Sequence, residues 1–377
     1  CWNNRLTDKK KINDMTDKKC LELLEEFGSP LYVFDDKAFV ENYNHLSKAF
    51  RKEYENYVLG YSYKTNYTPH ICKLVKSQGG YAEVVSDMEL YVAKKIGYEN
   101  NKIIYNGPCK GEMMEEHILN GGISNIDNEA ETLRVIKLAK RYSDKELKVG
   151  LRINTDIGAG FVSRFGIETD SKIIDRVVAM IKAQPNLKLV GLHMHVSRAR
   201  YIEAWQKRID NILEAADKYI DGTPEYIDLG SGMFADMEDY LKNQFTIKVP
   251  TFEEYAEVVA GTMAKHYAGA EKKPILMSEP GTTVVSRYLS LIATVKAVKE
   301  VRGRNIAVVD CDIHHAGETC MMMKVPYTHI KCGKGERLQA PVDITGFTCL
   351  EQDTLFKDFS DVVAVGDVME LRNVGGY

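Results

Sequence analysis

A chain of 377 residues, 44% hydrophobic and 28% charged, has room for two domains or for one large α/β barrel with an appendage. Its formal net charge of −4, with no basic run and no interleaving of basic and aromatic residues, excludes an electrostatic nucleic-acid surface. No apolar stretch approaches the roughly 20 residues of a membrane-spanning helix. The eight cysteines, at positions 1, 20, 72, 109, 311, 320, 332 and 349, form no CxxC pair. That pattern suits reduced thiols in a cytosolic (cytoplasmic) protein better than a disulfide framework. No metal site is expected either, since the neighbouring His314, His315 and Cys311 would point to different faces of an extended segment.

In chain order, positions 1–19 are polar and lysine-rich without the apolar core of a signal peptide. The chain opens on Cys1 rather than Met, so its true start is expected further upstream. Lys19–Phe27 reads as a short helix ended by Gly28, followed by a strand over Leu31–Phe34. Strands are then predicted at Tyr57–Lys64, Tyr81–Val85, Lys102–Tyr105, Ile123–Ile126, Leu147–Ile153, Leu187–His193, Tyr226–Leu229 and Ile275–Ser278. Helical periods lie between them, among others at Asp87–Ile96, Glu129–Tyr142, Lys172–Gln184, Trp205–Tyr219 and Phe252–His266. Eight strands alternating with helices imply parallel pairing and a (β/α)8 barrel over residues 36–280. From 281 to 377 the texture turns β-rich, at Ser290–Val301, Asn305–Asp310, Ala340–Thr345 and Val362–Val374, which suggests a mostly antiparallel β domain. Residues 1–35 form an N-terminal segment whose strand belongs either to that domain or to the barrel entrance.

Lys64 closes the first barrel strand. In an extended run Tyr57, Leu59, Tyr61 and Tyr63 face one side, while Val58, Gly60, Ser62 and Lys64 face the other. The small-residue face leaves room above a lysine amine, the side-chain group that condenses with carbonyls. Taken alone, Lys64 would merely snorkel into solvent. Active sites of this fold gather at the C-terminal strand ends, and other polar residues collect there. Glu83 and Ser86 follow the second strand, Asn106-Gly107-Pro108 the third and His193-Met194-His195 the sixth. Gly230-Ser231-Gly232 follows the seventh and Glu279-Pro280-Gly281 the eighth. The GxG brings backbone N–H groups near an anion, or is simply a turn. Glu279 suits a general base, an ion-pair partner for Lys64 or the partner of a ring nitrogen. His195 suits a stacking ring or a satisfied core histidine.

Together these segments resemble the barrel-fold (fold-type III) pyridoxal-phosphate decarboxylases, the group of diaminopimelate decarboxylase and the ornithine/arginine decarboxylases. Tyr61-Ser62-Tyr63-Lys64-Thr65-Asn66 is similar to the Schiff-base motif, Glu83–Leu90 to the segment after the second strand and Ser163–Ile167 to the fifth-strand loop. His193-Met194-His195-Val196 is similar to the histidine motif, Asp228–Gly232 to the phosphate loop and Glu279-Pro280-Gly281 to the motif that faces the pyridine nitrogen. Cys349 with Asp353, and Gly375-Gly376-Tyr377, resemble motifs of the β domain. The resemblance implies pyridoxal phosphate as cofactor, held by Lys64, Glu83, His195, Ser197, Gly230, Ser231, Gly232, Glu279, Gly281 and Tyr377. It implies catalysis by Lys64 and Cys349, substrate contacts at Lys324, Tyr327, Glu351 and Asp353, and a homodimer with shared active sites.

Four positions depart from the family pattern. Val196-Ser197-Arg198 stands where Gly-Ser follows the second histidine, and Thr282 where Arg follows Glu-Pro-Gly. Leu350 replaces an acidic residue, with Glu351 one place later. Lys324 replaces an arginine, whose planar guanidinium grips a carboxylate bidentately. The expectation is an amino-acid or diamino-acid decarboxylase whose substrate need not be diaminopimelate. A racemase on the same fold and a non-catalytic pyridoxal-phosphate-binding homologue remain open at this stage. The family continues past the position of Tyr377, so the chain is expected to be truncated there.

Overall fold

The computed structural model describes residues 15–377. The expectations for the first 14 positions therefore fall outside the described residues. The chain divides into two units, one of residues Val40–Asp236 with Thr246–Val284, the other of the described residues up to Phe39 with Met237–Phe245 and Val285–Tyr377.

The first unit is a closed barrel of eight parallel strands: β1 (Tyr57–Ser62), β2 (Tyr81–Val84), β3 (Ile103–Tyr105), β4 (Ile123–Ile126), β5 (Leu147–Asn154), β6 (Leu187–His193), β7 (Tyr226–Asp228) and β8 (Ile275–Ser278). β1 pairs with both β2 and β8, and β4 pairs with β5, which closes the ring. Capping fixes the helix starts, and Ser86 and Asn128 stand just past the ends of β2 and β4. Ser86, Asn128 and Thr251 each accept an N–H from the first turn of the helix they precede, and Thr251 with Glu254 completes a capping box. Phe50 of the helix Asp36–Glu53 stacks on Tyr57 at 4.7 Å, fixing the bulky outer face of β1. The small inner face is enforced: a Cβ at Gly60 would approach Ile104 Cδ1 to 3.0 Å.

One expected strand ends early. The run Tyr57–Lys64 is extended only to Ser62, after which Tyr63–Thr65 makes a 3-10 turn. On one side the neighbour has already stopped, since Leu59 is level with Ser278 at the end of β8; on the other Ser62 is level with Glu83, one residue before β2 ends. The turn folds the Lys64 side chain back over the strand end.

The second unit is a seven-stranded sheet. Its spatial order is Tyr327–Ile330, Val368–Leu371, Leu289–Val301, Arg304–Val309, Val342–Thr345 and Thr354–Phe359, with Leu31–Phe34 antiparallel to Leu289–Val301. The early strand thus joins the β sheet. Pairing is antiparallel apart from Arg304–Val309 with Val342–Thr345. Its core includes Leu291, Val295, Val309, Ile344, Phe356 and Met369. Gly317–Met322 is a short helix in a region that reads as β-rich.

Candidate active site

At the C-terminal rim of the barrel Lys64 Nζ donates to Ser62 Oγ at 2.6 Å and to Glu83 Oε2 at 2.8 Å. Ser62 Oγ also donates to Glu83 Oε2. Glu83 is fully buried, whereas the lysine side chain retains about a third of its exposure, so the amine is anchored yet reachable. Asn106, just past β3, donates from Nδ2 to Glu83 Oε1 at 3.1 Å and to Glu279 Oε1 at 2.6 Å. Glu279, past β8, accepts from His193 Nε2 at 3.1 Å through its other oxygen. His193 therefore carries its hydrogen on Nε2.

Charge within this buried set is uneven. Burial pushes the His193 imidazole down despite the Glu279 carboxylate beside it, so the ring is neutral. Burial acts to raise Glu279, but His193, Asp228 and Lys64 around it hold its carboxyl well below the usual range. Asp228 goes the other way. Burial, then the adjacent Glu279 charge, push it well up, so the two carboxyls share one proton and Glu279 holds the charge. His193, Asp228 and Glu279 lie within 4.8 Å of one another, a spacing that would also admit a cation. Arg152 on β5 is buried 3.7 Å from Asp127 and faces this acidic group electrostatically.

His195 sits above the loop after β7. Its Nδ1 accepts the Ser231 N–H at 3.0 Å, which places its hydrogen on Nε2. Burial and the positive charges of Lys64, Arg152 and Arg208 push its basicity well down, leaving a neutral flat ring. Gly230 has φ +56°, and a Cβ there would lie 2.6 Å from His195 Cβ. Gly281 is required for space, since its Cβ would fall 1.9 Å from Thr65 Oγ1. Arg208 is fully buried under the loop and donates to the carbonyls of Leu229 (3.1 Å), Ser231 (2.8 Å) and Val196 (2.8 Å). By engaging these carbonyls it holds the loop's main-chain acceptors away from any anion bound above. Ser197 is exposed, next to Arg198 at φ 71°.

The structure thus brings together Lys64, Glu83, His195, Gly230, Ser231, Gly232, Glu279 and Gly281 at one end of the barrel. Cys349, Lys324, Tyr327, Glu351, Asp353 and Tyr377 belong to the β unit. Cys349 and Glu351 are exposed on a loop organised by Asp353, whose buried carboxylate accepts the N–H groups of Ile313 and Thr348 and the Thr348 hydroxyl. Lys324 is exposed, its backbone held by Gln244 through two hydrogen bonds. Tyr327 packs among Tyr240, Phe356 and Phe359. Tyr377 is exposed, and its carbonyl accepts the Glu318 N–H.

Two functional-looking residues escaped sequence reading, Arg152 and Arg208, while Asn106 was noted at its strand end without a role. Arg208 had a signal, because it falls on the same helical face as Trp205, Ile209 and Ile212. A cation on an apolar stripe needs a partner. Arg152 and Asn106 had only their place at or near strand ends.

Residues 40–286 match the family described as pyridoxal-dependent decarboxylase, pyridoxal binding domain. The chain belongs to the pyridoxal-dependent decarboxylases. Diaminopimelate decarboxylase of Methanocaldococcus jannaschii is 30% identical over 95% of this chain and 84% of its own length. That of Methanothermobacter thermautotrophicus is 26% identical over the same shares. A crystal structure of the M. jannaschii enzyme with L-lysine superposes with a TM-score of 0.78 at 28% identity, over 95% of this chain and 84% of that one. The lysine decarboxylase of Selenomonas ruminantium, at 19% identity and TM-score 0.79, over 97% and 92% of the two chains, shares the fold. The residues at the rim suit the decarboxylase cofactor, pyridoxal phosphate: a tethered amine for its aldehyde, a neutral flat ring, a buried anion, and a glycine loop whose Cβ atoms are missing where a group must approach. Among the described residues no helix is long and apolar enough to cross a membrane.

Proposed function

We propose that this decarboxylase acts on an amino or diamino acid, with the reacting end handled as in the diaminopimelate enzymes and the distal end read differently. The observation that carries this reading is the hydrogen-bonded chain Lys64–Glu83–Asn106–Glu279, which ties a reachable amine to the buried Glu279 carboxylate on the barrel rim. Bound there, pyridoxal phosphate supplies the electron sink for the carbon–carboxylate bond that breaks. Lys64 would hold it, with Glu83 and Ser62 aiming the amine. Glu279 would face the ring nitrogen and keep a proton there, and His195 would lie on the ring. Gly230, Ser231 and Gly232 would receive the phosphate, with Ser197 beside them, and Tyr377 is assigned to the cofactor by the family resemblance. A carboxylate at the ring nitrogen favours decarboxylation over the racemase reading, because it sustains electron withdrawal.

Cys349 is assigned proton delivery to Cα, from a loop reaching the partner's site in a homodimer. Lys324, Tyr327, Glu351 and Asp353 are assigned to the substrate. With Thr282 and Lys324 in place of two arginines, bidentate capture of a distal carboxylate is lost, which favours a substrate other than diaminopimelate. Composition and free cysteines support a cytosolic enzyme.

Purified protein given pyridoxal phosphate should develop a visible absorbance band that Lys64→Ala abolishes. A panel of L- and D-amino acids should then yield CO2 from at least one member. No band would sink the reading, and a band without CO2 or racemisation from any panel member would leave a non-catalytic binder. Sedimentation of the loaded protein should show two chains.

A further inference from the structure

Beneath the rim, four residues on adjacent strands share one level of the barrel. Tyr226 of β7 is in register with Gly191 of β6, Gly191 with Gly150 of β5, and Gly150 with Asn125 of β4. The two glycines clear the path of the tyrosine ring. A Cβ at Gly191 would lie 2.5 Å from the ring, and one at Gly150 would lie 2.1 Å from the phenol oxygen. The phenol thereby reaches across two strands and donates to Asn125 Oδ1 at 2.7 Å. Asn125 Nδ2 donates to Asn106 Oδ1 at 2.9 Å. All three residues are buried.

The direction of this chain is dictated by its ends. Two carboxylates, Glu83 and Glu279, face the Asn106 amide, and a carboxylate accepts, so the amide must present nitrogen to both. Its oxygen then needs a donor, which Asn125 supplies, and the Asn125 oxygen in turn needs one, which is the phenol. Were Asn106 to flip, its oxygen would oppose two buried carboxylate oxygens.

We propose that Asn106 is a positioning residue of the active site, locked in orientation by Tyr226 through Asn125, which sets the spacing between the Lys64 amine and the Glu279 carboxylate. It rests on the assignment of Lys64 and Glu279 to the cofactor. One nitrogen links the carboxylate that aims the amine, at the end of β2, to the carboxylate past β8, two strands away across β1, and so couples their positions. An N–H donated to Glu279 also favours its ionised form.

The test is made on the full chain loaded with pyridoxal phosphate. Asn106→Leu has nearly the same volume and no donor, and Tyr226→Phe removes one oxygen far from the rim. For Asn106→Leu we expect cofactor affinity, titrated by absorbance, to fall at least tenfold. The pH at which the bound band changes should move upward, since Glu279 loses a donor. On the substrate found by the amino-acid panel, kcat should fall at least tenfold while KM stays within about twofold. Tyr226→Phe should shift the same readouts in the same direction by about threefold. If Asn106→Leu fails to fold, Tyr226→Phe decides. Variants that keep the wild-type affinity and the wild-type pH midpoint overturn the inference alone. A wild-type chain that takes up no cofactor overturns it together with the assignment of Lys64 and Glu279.

Discussion

Asp228 and Glu279 are neighbouring buried carboxyls with opposite protonation. Glu279 accepts from His193 and Asn106, whereas Asp228 accepts the Gly230 N–H through one oxygen and is crowded by the Glu279 charge. Replacing each with its amide separates their roles. Glu279→Gln should lower kcat by about 100-fold, the scale of losing one preorganised charged group in an active site. Asp228→Asn should keep cofactor binding, because the residue is already neutral and its amide oxygen can still accept from Gly230. The stability effect has a definite sign. A carboxyl raised in the fold contributes stability below its unfolded value and loses it as pH rises through the raised one. Asp228→Asn should therefore be at least as heat-stable as the parent at neutral and alkaline pH, as measured by thermal denaturation. At this scale the sequence exposed Lys64, Glu83, His195 and Glu279 by their place at strand ends. Which carboxyl carries the charge depends on burial and on distances between different strands, and no local pattern encodes that.

Among the elements, the eight barrel strands were legible because each is a short apolar run bounded by turn chemistry, with capped helices between them. The exception is the end of β1, where Tyr63–Thr65 turns away although Tyr63 continues the apolar run; β8 has already ended level with Leu59. The helix Met113–Leu119 shows how side chains tie elements together. His117 Nε2 lies 3.1 Å from the Ile103 carbonyl and 3.2 Å from that of Ile123, at the starts of β3 and β4, so the ring donates to both. Burial pushes its basicity down to about 4 from 6.5. Between those values the unfolded chain takes a proton that the folded ring resists, so stability should fall as pH drops from about 6.5 to 4. Such a shift is worth about 3 kcal/mol. Urea denaturation against pH should show this slope, and His117→Gln should flatten it. Gly122 packs directly on that ring, where a Cβ would intrude to 2.1 Å.

On the scale of the whole molecule, the division into barrel and β sheet was visible as a change of texture after Gly281. The sheet unit is nonetheless discontinuous in sequence. It gathers Leu31–Phe34 from the start of the described chain and Met237–Phe245 from between β7 and β8. Arg372 shows why: its guanidinium holds Glu238 through two nitrogens, at 2.8 and 3.1 Å, across 134 positions of chain. The barrel interior is equally non-local. Gly191→Ala places a methyl group into the Tyr226 ring and should cost about 1–3 kcal/mol in denaturant unfolding, the usual penalty for overfilling a packed core. An alanine at exposed Gly222, which meets nothing within 4 Å but sits at φ +77°, tests the backbone effect separately. By itself the sequence determined the order of strands, the chemistry at their ends and the family those ends resemble, because period, capping and strand-end position are local properties. Only the tertiary structure decided that Asn106 joins Glu83 to Glu279, that Tyr226 lies across two glycines and that Arg208 underpins the glycine loop after β7. Those contacts join residues tens to more than a hundred positions apart, and they exist only once the barrel closes.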